Sequence, residues 1–189
     1  MKKIGKFNEK YIIYEEIKPE ISIEDNKNKY IIEGNQNNRK NEISIIIEIK
    51  ETYNIENIIK ILDQNQIKIT FYIQDKKSID KETEQYIKQL QKKGHKIEIN
   101  DNKNCILPEK NEEKLRICAK QNKYTIIPSI IINNSLLNEI KQQIKPGSII
   151  KIPLNKNTEK ELDMTIKYIK SKGYTIKNLE DHISEKNNN

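Results

Sequence analysis

Ile43-Ser44-Ile45-Ile46-Ile47-Glu48-Ile49 is the stretch that decides the fold class of this 189-residue chain. Seven residues rich in β-branched side chains, without Gly or Pro, have the length and composition of a buried strand. The next segment repeats its apolar residues at the helical spacing i, i+3, i+4, i+7, at Ile55, Ile58, Ile59 and Leu62. A buried strand followed by an amphipathic helix is the repeating unit of a parallel sheet.

Strand-like and helix-like segments continue to alternate along the rest of the chain. Six further β-branched or apolar runs follow, at 67–73, 96–99, 105–107, 124–132, 148–152 and 174–176. Apolar residues at helical spacing fill most of the intervals between these runs. The predicted helix N-caps are Ser78, Ser135 and Thr158. Seven strands with crossover helices predict an α/β fold with a parallel sheet, either a (β/α) barrel or a doubly wound sheet. The interval between the third and fourth runs is too short for a helix.

The two ends of the chain depart from this pattern. Residues 1–40 contain two short β-like runs, at 11–14 and 21–23, and then a polar stretch, which together predict an N-terminal extension made of a hairpin and a connector. Residues 41–184 form the predicted α/β domain. The polar residues 185–189 predict a disordered tail.

The charge of the chain is basic but evenly spread. Its 35 basic and 28 acidic residues give a net charge of +7, and Arg occurs only at Arg39 and Arg116. Lys alternates with Glu instead of forming a basic block. Base and phosphate recognition relies on Arg forks and aromatic platforms, and the chain has no Trp. This composition argues against nucleic-acid binding.

Neither an export signal nor a membrane-spanning segment is predicted. Lys2 and Lys3 open the sequence, but no apolar stretch follows them. The expected location is therefore the cytoplasm. Cys105 and Cys118 lie in apolar settings, and in a chain without an export signal both are predicted to remain buried free thiols.

Five stretches of the sequence carry a resemblance to a known family. They are Ile31-Ile32-Glu33-Gly34-Asn35 with 43–49, Lys68-Ile69-Thr70-Phe71-Tyr72-Ile73, Gly94-His95-Lys96-Ile97, Lys145-Pro146-Gly147-Ser148-Ile149-Ile150, and 158–174. In this order they resemble the polysaccharide deacetylase family (NodB-homology domain, carbohydrate esterase family 4). The resemblance implies a distorted, seven-stranded (β/α) barrel, with one helix deleted between the third and fourth strands.

The resemblance also implies a chemistry whose residues this chain has lost. Family members bind a divalent metal such as zinc through one Asp and two His, and use another Asp as the base that activates water. The base position falls on Glu48 and the metal Asp on Ile49. Asn100 and Asn104 occupy the two His positions, and Pro153 occupies a late catalytic His position. We therefore predict no metal or cofactor, with Glu48 as a degenerate base.

Polar residues at or just beyond the predicted strand ends form a second set of candidates. Carboxylates at a barrel mouth can hold a hard cation weakly, although polar mouth loops are more simply explained by solvation. The carboxylates predicted to ring the mouth are Glu48, Asp75, Asp101 and Glu109. The predicted binding residues are Asp75, Asn100, Asp101 and Asn104.

The two histidines are predicted to have no catalytic role. His95 precedes the third strand, at the end of a barrel opposite to its chemistry, and is predicted to be structural. His182 lies in the polar stretch Glu180-Asp181-His182 and is predicted to be solvated.

Three functions stay open from the sequence. The first is a deacetylase-like pseudoenzyme that binds a glycan or a protein without hydrolysing it. The second is a residual carbohydrate deacetylase that uses Glu48 to cleave the C–N bond of N-acetylated glycans, and the third is a basic surface-binding module. The resemblance implies N-acetylated polysaccharide or peptidoglycan as the partner and an extracytoplasmic location. It leaves activity and oligomeric state undecided.

Overall fold

The computed structural model describes residues 30–31, 34, 41–49, 55–75, 77, 79–99, 104–109, 111–121 and 123–183. The strands in these ranges are β1 (Tyr30–Ile31), β2 (Glu42–Ile49), β3 (Thr70–Ile73), β4 (Lys96–Ile99), β5 (Asn104–Ile106), β6 (Tyr124–Ile126), β7 (Ile130–Ile131), β8 (Ile149–Pro153) and β9 (Thr175–Lys177). The helices are α1 (Glu56–Gln64), α2 (Lys81–Lys92), α3 (Glu112–Lys120), α4 (Leu136–Gln143), α5 (Lys156–Ser171) and α6 (Leu179–Ile183). The predicted hairpin at 11–14 and 21–23 and the predicted tail lie outside the described residues.

Every strand pairing within these ranges is parallel. The larger sheet has the order β4-β3-β2-β8-β7, with β9 also paired to β2, and the smaller sheet has the order β1-β6-β5. β2 is long enough to serve three neighbours, because β8 pairs with residues 44–48, β9 with 42–44 and β3 with 46–49. The predicted α/β fold with a parallel sheet is confirmed, and its strands are grouped into two sheets. β1, from the predicted N-terminal extension, pairs with β6.

The two faces of β2 contribute to different cores. Ile43, Ile45 and Ile47 are fully buried in the large cluster that also contains the apolar stripes of α1, α4 and α5. The alternate residue Ile46 belongs to a second cluster, with Ile31, Ile106, Ile126 and Leu179 contributed by other elements. Since successive strand residues point to opposite faces, Ser44 and Glu48 share the face of Ile46. We call this face the interior face and the other the helix face.

Two of the predicted helix starts were wrong, and one is confirmed. α2 is capped by Asp80, whose carboxylate accepts a hydrogen bond from the Thr83 N–H at 2.7 Å, so the helix begins after Ser78. α5 is capped by Asn155 instead of Thr158, whose hydroxyl donates to the Pro153 carbonyl inside the first turn. Asn and Asp compete with Ser and Thr as caps, and sequence spacing alone does not choose between them. Ser135 caps α4 as predicted.

Pro128 interrupts the predicted strand 124–132, as its missing N–H requires. The interruption has a topological consequence, because β6 before it belongs to the smaller sheet and β7 after it to the larger sheet. Ser129 lies between β6 and β7 and contacts the start of β8, because its hydroxyl oxygen accepts a hydrogen bond from the Ile149 N–H at 3.0 Å.

Cys105 and Cys118 form a disulfide, so the prediction of free thiols was wrong. Their burial was anticipated correctly, with exposures of 3% and 2%. Packing of α3 on β5 brings the two Cα atoms to 5.9 Å, which is within the span of a disulfide. This proximity arises from tertiary packing, which neither the apolar settings of the two cysteines nor the start of the chain reveals.

His182 is fully buried, so the prediction that it is solvated was also wrong. Its Nδ1 lies 2.9 Å from the Ser44 hydroxyl oxygen, and a Cβ at Gly34 would overlap its ring. Leu179, His182 and Ile183 follow the spacing i, i+3, i+4, which turns one face of α6 toward the interior cluster. The polar neighbours Glu180 and Asp181 concealed this short amphipathic pattern.

His95 is structural, as predicted. It is 3% exposed, its Nδ1 accepts a hydrogen bond from the Ile69 N–H at 3.3 Å, and its ring meets Phe71 edge-on.

Among the helices that the structure describes, none has the length and hydropathy to cross a bilayer.

Candidate interior and cleft sites

A buried ion pair lies where the sequence resemblance places the catalytic base. Glu48 Oε2 is 2.8 Å from Lys151 Nζ, and the two side chains are only 5% and 10% exposed. β2 and β8 are adjacent and parallel, and Lys151 pairs in register with Ile46, one interior position before Glu48. An isolated buried charge costs several kcal/mol, so each of these residues needs the other.

Tyr72 extends this polar group on the neighbouring strand. It pairs in register with Glu48 and is 2% exposed. Burial, and then the negative charge of Glu48, raise the pKa of Tyr72 to about 12. The phenol therefore stays protonated and neutral at physiological pH.

The other predicted site residues divide between the interior and the surface. Asn104 is 5% exposed, and its Oδ1 has no hydrogen-bond partner among the residues that the structure describes. Asp75 is exposed, and its carboxylate accepts from the Lys77 N–H at 2.9 Å, while Glu109 is also exposed. The structure thus separates Glu48 from the exposed acids at Asp75 and Glu109. Asn100 and Asp101 lie outside the described residues.

The residues present do not fit the divalent metal that the resemblance implies. Ile49 packs in the helix-face cluster at 6% exposure, and its side chain offers no ligand atom. The Lys151 ammonium adjoins Glu48, and a positive charge there repels a divalent cation. Across the described ranges, no group of three His, Cys, Asp or Glu side chains is arranged to hold a metal ion.

A cleft of about 800 Å³ opens beside this interior group. One wall is the end of β3 and the residues after it, and another is β5 with Leu107 and Pro108. The third wall is one face of α3, with Lys114, Ile117 and Cys118, together with Gln121, the residue that follows the helix. Tyr72 is the lining residue nearest in register to Glu48, and Glu48 itself does not line the cleft.

The sequence of the chain matches the family model for polysaccharide deacetylase over residues 35–142, which is more than half of its length. The chain belongs to the polysaccharide deacetylase family. The earlier resemblance is therefore confirmed, and members of this family generally depend on a metal and act on N-acetylated glycans. None of the curated proteins matches this family member.

Solved structures of other proteins have a similar fold. The peptidoglycan N-acetylglucosamine deacetylase Bc1960 has a TM-score of 0.68 at 18% identity, with 81% of this chain and 92% of that chain covered. PdaA of Bacillus subtilis, a family 4 carbohydrate esterase, has a TM-score of 0.64 at 17% identity, covering 82% and 84%. A CE4 family pseudoenzyme from Bacillus anthracis also has a TM-score of 0.64 at 17% identity, covering 78% and 67%. At these identities the similarity concerns the fold.

Lys151 is the site residue that the sequence reasoning missed, although a signal was present. Ile149-Ile150-Lys151-Ile152 and Ile47-Glu48-Ile49 each contain one charged residue inside an apolar strand. Buried charges are rarely unpaired, so two opposite charges in two buried strands indicate a partnership. The α3 wall of the cleft had no comparable signal, because it depends on how α3 packs.

Proposed function

We propose that this member of the polysaccharide deacetylase family binds N-acetylated glycan without hydrolysing it. The observation that carries the proposal is the ion pair between Glu48 and Lys151. A catalytic base must reach the water that it activates. Glu48 is instead buried, and one of its oxygens is engaged by the ammonium of Lys151.

The proposal extends to the absence of a resident metal. In a working relative, the divalent cation stabilises the developing charge and activates water. Here Lys151 supplies one positive charge to the interior, and an ammonium group cannot bind water as a Lewis acid. Ile49 and Asn104 would have to be replaced by ligand residues before a cation could be held at all, and Lys151 would have to be replaced as well before it could be held tightly. Glycan binding is proposed on the grounds of family membership, since binding does not require the lost chemistry.

The direct test is a paired binding and hydrolysis assay on the full chain. We expect N-acetylglucosamine oligomers to perturb the protein NMR spectrum while releasing no acetate above blank, with or without added Zn²⁺ or Co²⁺. The Glu48→Gln variant is the matched control, because it should leave the acetate signal at the same blank level. Acetate release that the unmutated chain performs and Glu48→Gln loses would establish the residual deacetylase instead. Absence of any glycan perturbation would refute the binding role.

A second test asks whether the family's ligand set can be rebuilt. A mutant of the Bacillus anthracis pseudoenzyme, with a TM-score of 0.63 at 16% identity, has restored enzymatic activity. In this chain we expect Ile49→Asp with Asn100→His and Asn104→His to bind Co²⁺ weakly by calorimetry and to release no acetate. Lys151 still pairs with Glu48 in that variant, and poorly oriented ligands typically lose 10- to 100-fold in affinity or activity for each missing supporting contact. Acetate release by the triple variant would contradict this expectation.

The disulfide also supports a proposal about location. Structural disulfides persist in oxidising compartments and are rare in the cytosol. We propose that the chain functions outside the cytoplasm, in place of the location expected from its first residues. Alkylation of free thiols in cells before lysis tests this: Cys105 and Cys118 should be protected unless the cells are first treated with reductant. Full alkylation without reductant would place the chain in a reducing compartment.

A further inference from the structure

The outer edge of β4 carries an inference that the proposed function does not require. β4 is the last strand of the larger sheet, and no strand in the described ranges pairs with its outer edge. Among the described strands, β4 alone contains no buried residue: Lys96 is exposed, and Ile97, Glu98 and Ile99 are each partly exposed. A strand edge that is this accessible can pair with another strand.

The backbone of β4 presents hydrogen-bonding groups at this edge. The Lys96 N–H donates to the Ile69 carbonyl at 3.1 Å, so the backbone groups of Lys96 point toward β3. Because successive residues of a strand turn their N–H and C=O groups to opposite sides, those of Ile97 and Ile99 point toward the outer edge. Ile97 therefore offers one donor and one acceptor to an added strand.

The charges of β4 suit pairing with a second copy of the same strand. In an antiparallel pair centred on Ile97, Lys96 of each copy lies opposite Glu98 of the other copy. Opposite charges at such positions stabilise a strand pair, whereas a parallel pair in register would place Lys96 opposite Lys96 and Glu98 opposite Glu98. Lys96 also lies 3.8 Å from Glu180 on α6, but both side chains are more than half exposed, and such a contact is weak enough to be exchanged.

Partly buried apolar side chains adjoin the same edge. Ile97 and Ile99 pack against the large cluster of the helix face, and so do Ile79, which precedes α2, and Ile87 on α2. The described residues cover none of these four side chains completely. A second copy placed beside β4 would remove more of this apolar surface from water, which favours association.

We propose that β4 pairs with β4 of a second copy, antiparallel and centred on Ile97, so that the larger sheets of two copies join into one. The two-fold axis at Ile97 makes every contact occur twice, as is usual in homodimers. Four residues form a small interface, so we expect a reversible dimer with a dissociation constant between about 1 µM and about 1 mM. The pairing does not involve Glu48 and is independent of the proposed glycan function.

Charge reversal tests the pairing in sedimentation equilibrium of the full chain. The mass of the unmutated chain should rise with concentration toward that of a dimer. Lys96→Glu or Glu98→Lys places like charges opposite each other at two positions, and each should raise the dissociation constant by about 10-fold or more. The matched controls are Lys160→Glu on α5 and Glu113→Lys on α3, both at exposed positions, and they should leave association unchanged. A monomer at every concentration, or controls as disruptive as the β4 variants, would overturn the proposal.

Mixing the two single variants separates lost pairing from lost folding. Lys96→Glu has two acidic residues at the edge, and Glu98→Lys has two basic ones. Each should associate weakly alone, whereas an equimolar mixture should recover the association of the unmutated chain, because every cross-strand pair is again opposite in sign. The double variant that carries both substitutions should also recover it. If neither the mixture nor the double variant associates, the register centred on Ile97 is wrong.

Hydrogen exchange tests the backbone pairing. We expect the Ile97 amide to exchange more slowly at high protein concentration, and the Glu98 amide, which points toward β3, to exchange at the same rate at both concentrations. A dimer that forms without added protection of Ile97 would use another surface, and the proposal would fail. Protection of Ile97 that does not vary with concentration would show that the chain's own residues cover the edge, and would exclude the second copy.

Discussion

The two faces of β2 are built on different principles. On the helix face, Ile43, Ile45 and Ile47 are fully buried and contact a broad aliphatic cluster. On the interior face, Ser44 meets His182 and Glu48 meets Lys151. The helix face requires apolar residues of suitable size, because hydrophobic burial is not directional. The interior face requires particular partners, so its substitutions should depend on one another.

Breaking the interior pair should produce the largest effect. Lys151→Met leaves the Glu48 carboxylate buried without its cation, and removing one partner of a buried ion pair costs about 3–5 kcal/mol. We expect the free energy of unfolding in urea at pH 7.5 to fall by about 4 kcal/mol, as losses of that kind do. The exposed pair between Lys167 and Asp163 is the control, and Lys167→Met should cost less than about 1 kcal/mol.

A double variant tests directly whether the two charges of the pair are coupled. Glu48→Gln together with Lys151→Met removes both charges, and we expect the double variant to recover most of the loss of Lys151→Met. Strictly additive losses would show that the pair is not coupled and would remove the main support for the proposed function.

On the helix face, Ile45→Ala should cost about 3 kcal/mol through lost burial and a residual cavity. Ile45→Val, which removes one methylene, should cost about 1 kcal/mol. The helix face should differ from the interior face in how the stability losses of two substitutions combine. Adding Glu48→Gln to Ile45→Ala should give the sum of the two single losses, since the residues lie on opposite faces of β2 and share no charged partner. A coupling as large as that between Glu48 and Lys151 would show that the faces are not distinct.

The disulfide stabilises a region that belongs to neither face of β2. It joins β5 to α3 across a sequence separation of 13 residues. Cross-links that close loops of this size contribute about 2–3 kcal/mol, largely by restricting the unfolded chain. We expect Cys105→Ala with Cys118→Ala to lower the free energy of unfolding by about that amount. Reduction of the unmutated chain should have the same effect, and no response to reductant would contradict the bond.

The helix face was predictable from the sequence, and the interior face was predictable only in part. β-branched runs and helical stripes predicted the strands and helices around Ile43–Ile49 because aliphatic burial leaves a periodic signal. The interior ion pair left a weaker signal, one charge in each of two apolar strands. The contact of His182 with Ser44 depends on a helix at the far end of the chain. The disulfide and the cleft depend on the packing of α3 against β5. No local pattern encodes such long-range proximities.

Apart from Ile45→Val and the control variant, the smallest expected effect comes from His95, a buried polar residue whose ring packs against Phe71 of the helix-face cluster. Burial, and then the positive charge of Lys68, lower the pKa of His95 to about 4, whereas an unfolded histidine titrates near 6.5. Between these values the unfolded chain binds a proton that the folded chain excludes, so protonation favours unfolding. The contribution of His95 to stability is therefore complete above about pH 6.5 and is lost as the pH falls toward about 4. From pH 7.5 to pH 5 the loss should be about 2 kcal/mol.

His95→Gln retains an acceptor for the Ile69 N–H but cannot titrate. In urea unfolding at several pH values, the stability of the unmutated chain and that of His95→Gln should converge as the pH falls through this range, because only the unmutated chain loses the His95 contribution. Parallel curves would mean that His95 titrates alike in the folded and unfolded chains, and the helix face would then tolerate a buried charge as the interior face does.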